Sequence, residues 1–160
     1  SMEKIKYTAN DIALWILNYN KNLREFSNED TEDITNLKLQ KLLYYAQGFY
    51  MEKYNTPLCN ENIEAWTHGP VVPEVYHKYK NFGSKGIDKF EENKEIDKDT
   101  VYILKEIYDI FGKFSAWGLR NITHSETPWI EAPRGGIISK ERIKTYFKEH
   151  ADEKRYLCNF

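Results

Sequence analysis

The sequence has few of the features that stabilise secreted proteins or anchor a chain in a membrane. Its 160 residues include 2 cysteines, Cys59 and Cys158, which lie far apart and in no paired motif. We expect both to be free thiols in a reducing compartment. No apolar run approaches the length that spans a bilayer, and no signal peptide opens the chain. The sequence therefore predicts a cytoplasmic protein without a membrane partner.

An excess of charge of one sign is also missing. Lys and Arg number 23 against 25 acidic residues, which gives a formal net charge of −2. Nucleic acids and anionic membranes attract proteins that carry a large positive excess. We therefore expect no strong binding to nucleic acid by the chain alone.

Motifs for metal binding and catalysis are absent as well. No Cys-x-x-Cys or His-Glu-x-x-His pattern occurs, and zinc spacing is not found among His68, His77, His124 and His150. Residues 123–126 (THSE) could suggest acid–base chemistry, but polar residues between a helix and a proline more often cap or turn the chain. We expect no catalytic residue, no metal and no cofactor.

Aromatic residues, by contrast, are abundant. They make up 15% of the chain, as 12 Tyr, 8 Phe and 4 Trp, which is ample for a well-packed core. We interpret Trp66, Trp117 and Trp129 as core or core-edge anchors; one exposed in a groove would instead be a binding hot spot. The length predicts a single domain over 1–160, with Ser1 an added residue before the native start. A mobile tail is expected, if anywhere, at 151–160.

Capping signals and periodicity predict a mainly α fold, a compact bundle-like arrangement of helices. Thr8 and Asp11 form a capping box for a first helix, followed by a loop over 24–33. Thr35 caps a second, central helix, which ends at the Asn-Thr-Pro of 55–57. Its leucines follow helical spacing.

The rest of the chain predicts shorter elements. A small β-hairpin is expected around residues 58–72, and Pro73 suits the first turn of a helix that ends at Gly83. After a loop over 84–97, a helix runs to Phe111. Serines at 115 and 139 cap two further helices, and the proline- and glycine-containing stretch 128–136 between them predicts a loop.

Two segments carry a resemblance to a known family. They are residues 34–48 (ITNLKLQKLLYYAQG) and 63–76 (IEAWTHGPVVPEVY), with weaker matches at Ser115-Ala116, Leu119, Thr123-His124 and Pro128-Trp129. With these motifs the chain resembles the Panacea antitoxin domain, the family of SocA-like antitoxins and phage-associated GepA-like proteins. His68 departs from the pattern, since a tyrosine is more usual there.

The resemblance implies a bacterial, archaeal or phage protein whose gene lies beside a toxin gene. It implies an antitoxin, not an enzyme, that neutralises this toxin by direct protein–protein binding. The alternatives are a protease adaptor for the toxin, a phage or prophage-encoded inhibitor of a host defence protein, and, with less support, a DNA-binding regulator or an enzyme. A toxin-like neighbouring gene would favour the first function, and a prophage context the third.

A partner-binding surface is expected around the hairpin and the central helix. Lys38, Lys41 and Tyr45 share one helix face outside the leucine stripe, which predicts either a partner-facing patch or an ordinary solvated face. Two prolines stiffen the loop that follows, so that docking would cost little entropy, although the loop could also be a plain structural turn. The candidate residues are Lys38, Lys41, Tyr45, His68, Pro70, Val71 and, from the resemblance alone, His124.

Overall fold

A computed structural model describes residues 4–159, with side chains through Leu157. Within that range the elements are α1 (Ala9–Phe26), α2 (Asn36–Tyr54), β1 (Ile63–Trp66), β2 (Gly69–Val71), α3 (Pro73–Tyr79), a 3-10 turn (Lys80–Phe82), α4 (Lys98–Phe111), α5 (Ala116–Thr123), α6 (Thr127–Ile130), β3 (Ile137–Ile138), α7 (Lys140–Arg155) and a second 3-10 turn (Tyr156–Asn159). The mainly helical fold with a small hairpin is confirmed. Residues 151–155 of the expected tail belong to α7, and its mobility stays a prediction.

The predicted caps fix where the main helices begin. Thr8 Oγ1 accepts a hydrogen bond from the backbone N–H of Asp11, and the Asp11 carboxylate accepts one from the backbone N–H of Thr8. The hydroxyl groups of Thr35, Ser115 and Ser139 accept the equivalent bond at the starts of α2, α5 and α7. Each bond satisfies a backbone donor that the helix itself cannot pair.

Helix α2 lies at the centre of the molecule. It packs against α1, α4, α5 and α7, and nearly all of its residues from Asn36 to Met51 are buried. Polar side chains of the helix are therefore buried with the apolar ones. Gln47, for example, accepts the backbone N–H groups of Leu58 and Cys59 and donates to the Cys59 carbonyl.

The small sheet has the strand order β2-β1-β3, with both pairings antiparallel. Trp66 pairs with Gly69 across the hairpin, and Ile63 pairs with Ile138 of β3. Gly69 has a φ of +110°, and a Cβ built there would lie 2.6 Å from Lys41 Cε and 2.9 Å from Thr123 Oγ1. Glycine is required because the turn is pressed against α2 and α5.

Two predicted loops are partly helical or extended. Helix α1 continues to Phe26, into the segment 24–33 that was expected to form a loop. Arg24, in the last turn of the helix, forms a 2.8 Å salt bridge with Asp33 of that segment. The stretch 128–136 begins inside α6, whose first turn tolerates Pro128. Strand β3 follows it and was not expected, because two residues show no alternation.

The described residues also bear on the cysteines, on membrane-spanning helices and on metal sites. Cys59 is buried and free, and the side chain of Cys158 and residue Ser1 lie outside the described residues. Within the described part of the chain no helix is long and apolar enough to cross a bilayer. Over the same residues no three His, Cys, Asp or Glu side chains gather as a metal site.

Candidate partner-binding surface

A groove of about 800 Å³ opens beside the hairpin. The start of α2, the end of α3 and the turn before β3 complete its walls. Residues that line it include Leu37, Trp66, His68, Tyr76, Lys80 and Arg134. Its volume falls in the range of clefts that hold ligands or several side chains of a partner.

Hydrogen bonds within the protein hold the floor of the groove in place. Gln40 Nε2 donates to Asn36 Oδ1, and Gln40 Oε1 accepts the backbone N–H of Val72, both at 2.9 Å. Asn36 Nδ2 donates to the Tyr76 carbonyl at 3.0 Å. These bonds tie α2 to the hairpin and to α3, so the groove exists before any partner arrives.

An exposed tryptophan of α5 lies next to the hairpin turn. Trp117 is 52% exposed, and the Arg120 guanidinium lies 4.3 Å from the centre of its ring. Arg120 Nε also donates to His68 Nδ1 at 3.3 Å. Trp117 is thus not the core-edge anchor that we expected. It forms an exposed cation–π pair with Arg120, one helical turn away on the same face.

A second tryptophan–arginine pair lies beside the end of β1. Trp129 Nε1 donates to the Trp66 carbonyl at 2.8 Å, which fixes its ring, and the Arg134 guanidinium lies 3.8 Å from the ring centre. The His124 ring stacks on Trp129 with 3.7 Å between centroids. We call the residues His68, Trp117, Arg120, Trp129 and Arg134 the arginine–tryptophan surface.

The charge of this surface is not balanced by carboxylates. Of the arginines, Arg24, Arg142 and Arg155 each form salt bridges. Among the described residues, Arg120 and Arg134 form none, and each instead covers a tryptophan ring. Burial lowers the pKa of His124, and the charges of Arg120, Lys41 and Arg134 lower it further. The surroundings of His124 are therefore electropositive.

Lys41 and Tyr45 do not form the exposed helix face that the sequence predicted. Both are fully buried, because β2, α4, α5 and α7 pack around this part of α2. Lys41 Nζ donates to the Pro70 carbonyl at 3.3 Å, and burial together with the charge of Arg120 lowers its pKa to about 7. The Tyr45 ring stacks on Phe111 at 3.7 Å. Their expected exposure is wrong.

The other candidate residues divide between interior and surface. Pro70 and Val71 are buried in β2, contrary to the expectation that the loop would expose them. Lys38 is half-buried and donates to the Gly112 carbonyl at the end of α4 at 2.6 Å. His68 is exposed in the turn, and His124 lies close to it with an unpaired Nε2. Whether any of these residues contacts a partner stays a prediction.

A buried carboxylate that could not be predicted from the sequence holds the segment next to this surface. Glu126 is fully buried, and it accepts 2.9 Å bonds from the hydroxyls of Tyr44 and Tyr45 and a 2.8 Å salt bridge from Lys154 Nζ. Burial raises its pKa, while Lys154 and the tyrosines oppose that rise. The turn between α5 and α6 is thereby fastened to α2 and α7.

Comparison with known proteins assigns this chain to a family. The family model described as "Antitoxin SocA-like, Panacea domain" matches residues 39–130, more than half of the chain. The chain belongs to this antitoxin family. The matched range runs from α2 to α6 and includes the hairpin, Trp117, Arg120 and Trp129. The family predicted from the two sequence motifs is confirmed.

One curated relative supports the same assignment. The chain is 35% identical over 109 residues to Antitoxin SocA of Caulobacter vibrioides (strain NA1000 / CB15N), an overlap that covers 60% of this chain and 58% of the relative. The chain thus spans less than two thirds of the relative's length. No solved structure matches it.

The surface residues missed from the sequence had a weak signal. Trp117 and Arg120 are three residues apart in α5, on a face that excludes the buried Leu119 and Thr123. An aromatic residue and an arginine at this spacing outside the apolar stripe indicate an exposed pair. Arg134 had no comparable signal, since it meets Trp129 through a turn.

Proposed function

We propose that this protein is a cytoplasmic, non-enzymatic antitoxin that neutralises a partner toxin by direct binding. The arginine–tryptophan surface makes the contact. The observation that carries the proposal is the exposed Trp117–Arg120 pair in a chain of an antitoxin family. Trp and Arg are the residues most enriched among those that dominate binding energy at protein interfaces.

The rigidity of the surface supports this role. Trp129 is held by its bond to the Trp66 carbonyl, and Arg120 is held between Trp117 and His68. A surface that is ordered before binding loses little side-chain entropy when a partner docks. Ile130, at the end of α6, adds a further half-exposed apolar side chain.

The test is co-expression with the product of the neighbouring gene. We expect the wild-type chain to restore growth and to co-purify with that product. Trp117→Ala should abolish both while leaving the melting temperature nearly unchanged, because a surface change usually alters stability by less than about 0.5 kcal/mol. The matched control is Tyr102→Ala on α4, which removes an even more exposed ring and should keep rescue.

Three results would contradict the proposal or part of it. Rescue without a detectable complex would point to an indirect or enzymatic mechanism. Full rescue by folded Trp117→Ala would place the contact elsewhere. A toxin half-life that shortens in the presence of this chain would indicate delivery to a protease instead of sequestration.

A further inference from the structure

We propose that the groove beside the hairpin binds an acidic, extended segment of the partner. Its carboxylates would meet Lys80 and Arg134, and an apolar side chain between them would lie against Trp66 and Tyr76. The inference rests on the proposed function only in identifying the partner as a toxin; the chemistry of the groove stands by itself.

The groove carries positive charge. The charged residues that line the groove are Lys80 and Arg134, and no carboxylate lines it. Neither cation has a carboxylate partner among the described residues, although the whole chain carries a formal net charge of −2. A cationic groove on a mildly acidic protein selects for a partner segment of opposite sign.

The carboxylate of Glu64, which bonds to a residue of the groove, is already occupied. Glu64 Oε1 accepts the indole N–H of Trp66 at 2.9 Å and does not line the groove. With its N–H satisfied, the Trp66 ring offers an apolar surface. The Tyr76 ring meets it edge-on, with 4.9 Å between centroids. Together with Leu37 they form a wall suited to an apolar side chain.

The groove suits a peptide better than a nucleic acid. Binding to nucleic acid depends mainly on many phosphate contacts in a strongly positive field. This groove offers two cations without a carboxylate partner among the described residues and a largely apolar wall, in a chain without positive excess. Charge-assisted bonds at the rim and a hydrophobic contact at the centre are the pattern of a peptide-binding groove.

The experiment uses a short Gly/Ser-rich peptide with a central Glu-Leu-Glu triplet, titrated into the isotope-labelled full chain. Chemical-shift changes should saturate and centre on the indole N–H of Trp66 and the backbone of Tyr76 and His68. A matched Gln-Leu-Gln peptide should bind about tenfold more weakly, the loss expected when charged acceptors become neutral.

Variants locate the binding within the groove. Lys80→Gln and Arg134→Gln should each weaken the Glu-Leu-Glu peptide by about three- to tenfold. Lys98→Gln, the same charge change at an exposed lysine outside the groove, should leave it unchanged. Arg134→Lys keeps the charge and should retain the preference for Glu over Gln, even if the loss of its bonds to the Trp129 and Ala132 carbonyls loosens the turn.

Several outcomes would overturn the inference. One is that the Gln-Leu-Gln peptide binds as tightly as the Glu-Leu-Glu peptide, and another is that Lys80→Gln and Arg134→Gln both bind the Glu-Leu-Glu peptide with wild-type affinity. The others are no saturable binding at all, or tighter binding of oligo-thymidylate than of the Glu-Leu-Glu peptide at the same residues. Because no toxin is present, such a failure would leave the Trp117→Ala rescue result untouched. A failed rescue experiment would likewise leave the peptide result standing.

Discussion

At the scale of single residues, the most informative side chain is Lys41. Its ammonium group has no carboxylate partner among the described residues, and it lies in the interior against the Pro70 carbonyl and beneath the hairpin turn. Desolvation disfavours the charged form, and the nearby Arg120 adds to this effect. The protein therefore carries a lysine whose protonation opposes folding at neutral and lower pH.

The pH dependence of stability should show this. The pKa of Lys41 is about 7 in the folded protein, against an ordinary value of 10.5. Between these values the unfolded chain binds more protons, so this lysine should raise the free energy of unfolding by about 1 kcal/mol per pH unit as pH increases. Urea denaturation from pH 7 to 9 measures the slope.

Comparison with Lys41→Met isolates the effect of the lysine. The substitution keeps an unbranched side chain and removes the titrating group. As the pH rises from 7 to 9, the free energy of unfolding of the wild type should therefore increase steadily relative to that of Lys41→Met. Above pH 9 the buried tyrosines and Cys59, whose pKa values are raised, should act in the opposite direction in both proteins. A difference that does not vary with pH would show that Lys41 remains fully charged in the fold.

The Glu126–Lys154 pair makes a second prediction at this scale. Lys154→Met would leave the buried Glu126 carboxylate with only two tyrosine hydroxyls, and should lower the free energy of unfolding by about 3–5 kcal/mol at neutral pH. Because burial raises the pKa of Glu126, the loss should shrink as the pH falls and the carboxyl group becomes neutral.

Chemical denaturation at neutral and acidic pH provides the measurement. The control is Lys148→Met on the same helix, where an exposed lysine bonds only to the Glu52 carbonyl, and we expect a change within about 0.5 kcal/mol. Equal losses for the two variants would mean that the buried pair does not stabilise the fold.

At the scale of elements, the hairpin turn depends on a glycine for two separate reasons. Gly69→Ala meets both an unfavourable φ and a contact with Lys41 Cε, whereas Gly83→Ala meets an unfavourable φ of +59° with no atom within 4 Å. We expect Gly83→Ala to cost about 1–3 kcal/mol and Gly69→Ala more than that. Thermal melts of the two variants test this, and similar losses would show that Lys41 moves aside freely.

Helix starts could be predicted from the sequence, whereas the exposure of α2 could not. Thr8, Thr35, Ser115 and Ser139 cap their helices through bonds to residues three positions away, so the signal is local. The burial of Lys41 and Tyr45 depends on α5 and α7, which are far along the chain. Periodicity identifies an apolar stripe, but it does not show whether other elements cover the remaining faces of the helix.

The candidate site shows the same limit. The motif 63–76 located the hairpin and His68 correctly, because prolines and glycine act on their immediate neighbours. Arg134 and Lys80 reach the groove through turns that carry no periodic signal. A cluster assembled by tertiary contacts cannot be predicted from spacing along one chain.

At the scale of the whole molecule, the charge balance makes a prediction about nucleic acid. With a formal net charge of −2, the purified chain should not bind double-stranded DNA tightly at physiological salt. An anisotropy titration should show at most weak binding, with a dissociation constant above about 1 μM, that disappears as salt increases. Specific nanomolar binding would contradict this and would favour a regulator.

The packing of the hairpin turn on α2 also has an evolutionary consequence. The space that a methyl group would need at position 69 is already filled, chiefly by the end of the Lys41 side chain and also by Thr123 Oγ1. Relatives with any other residue at position 69 should therefore carry a shorter residue at position 41, so the two positions should change together across the family. An alignment in which they vary independently would show that the turn sits differently in those relatives.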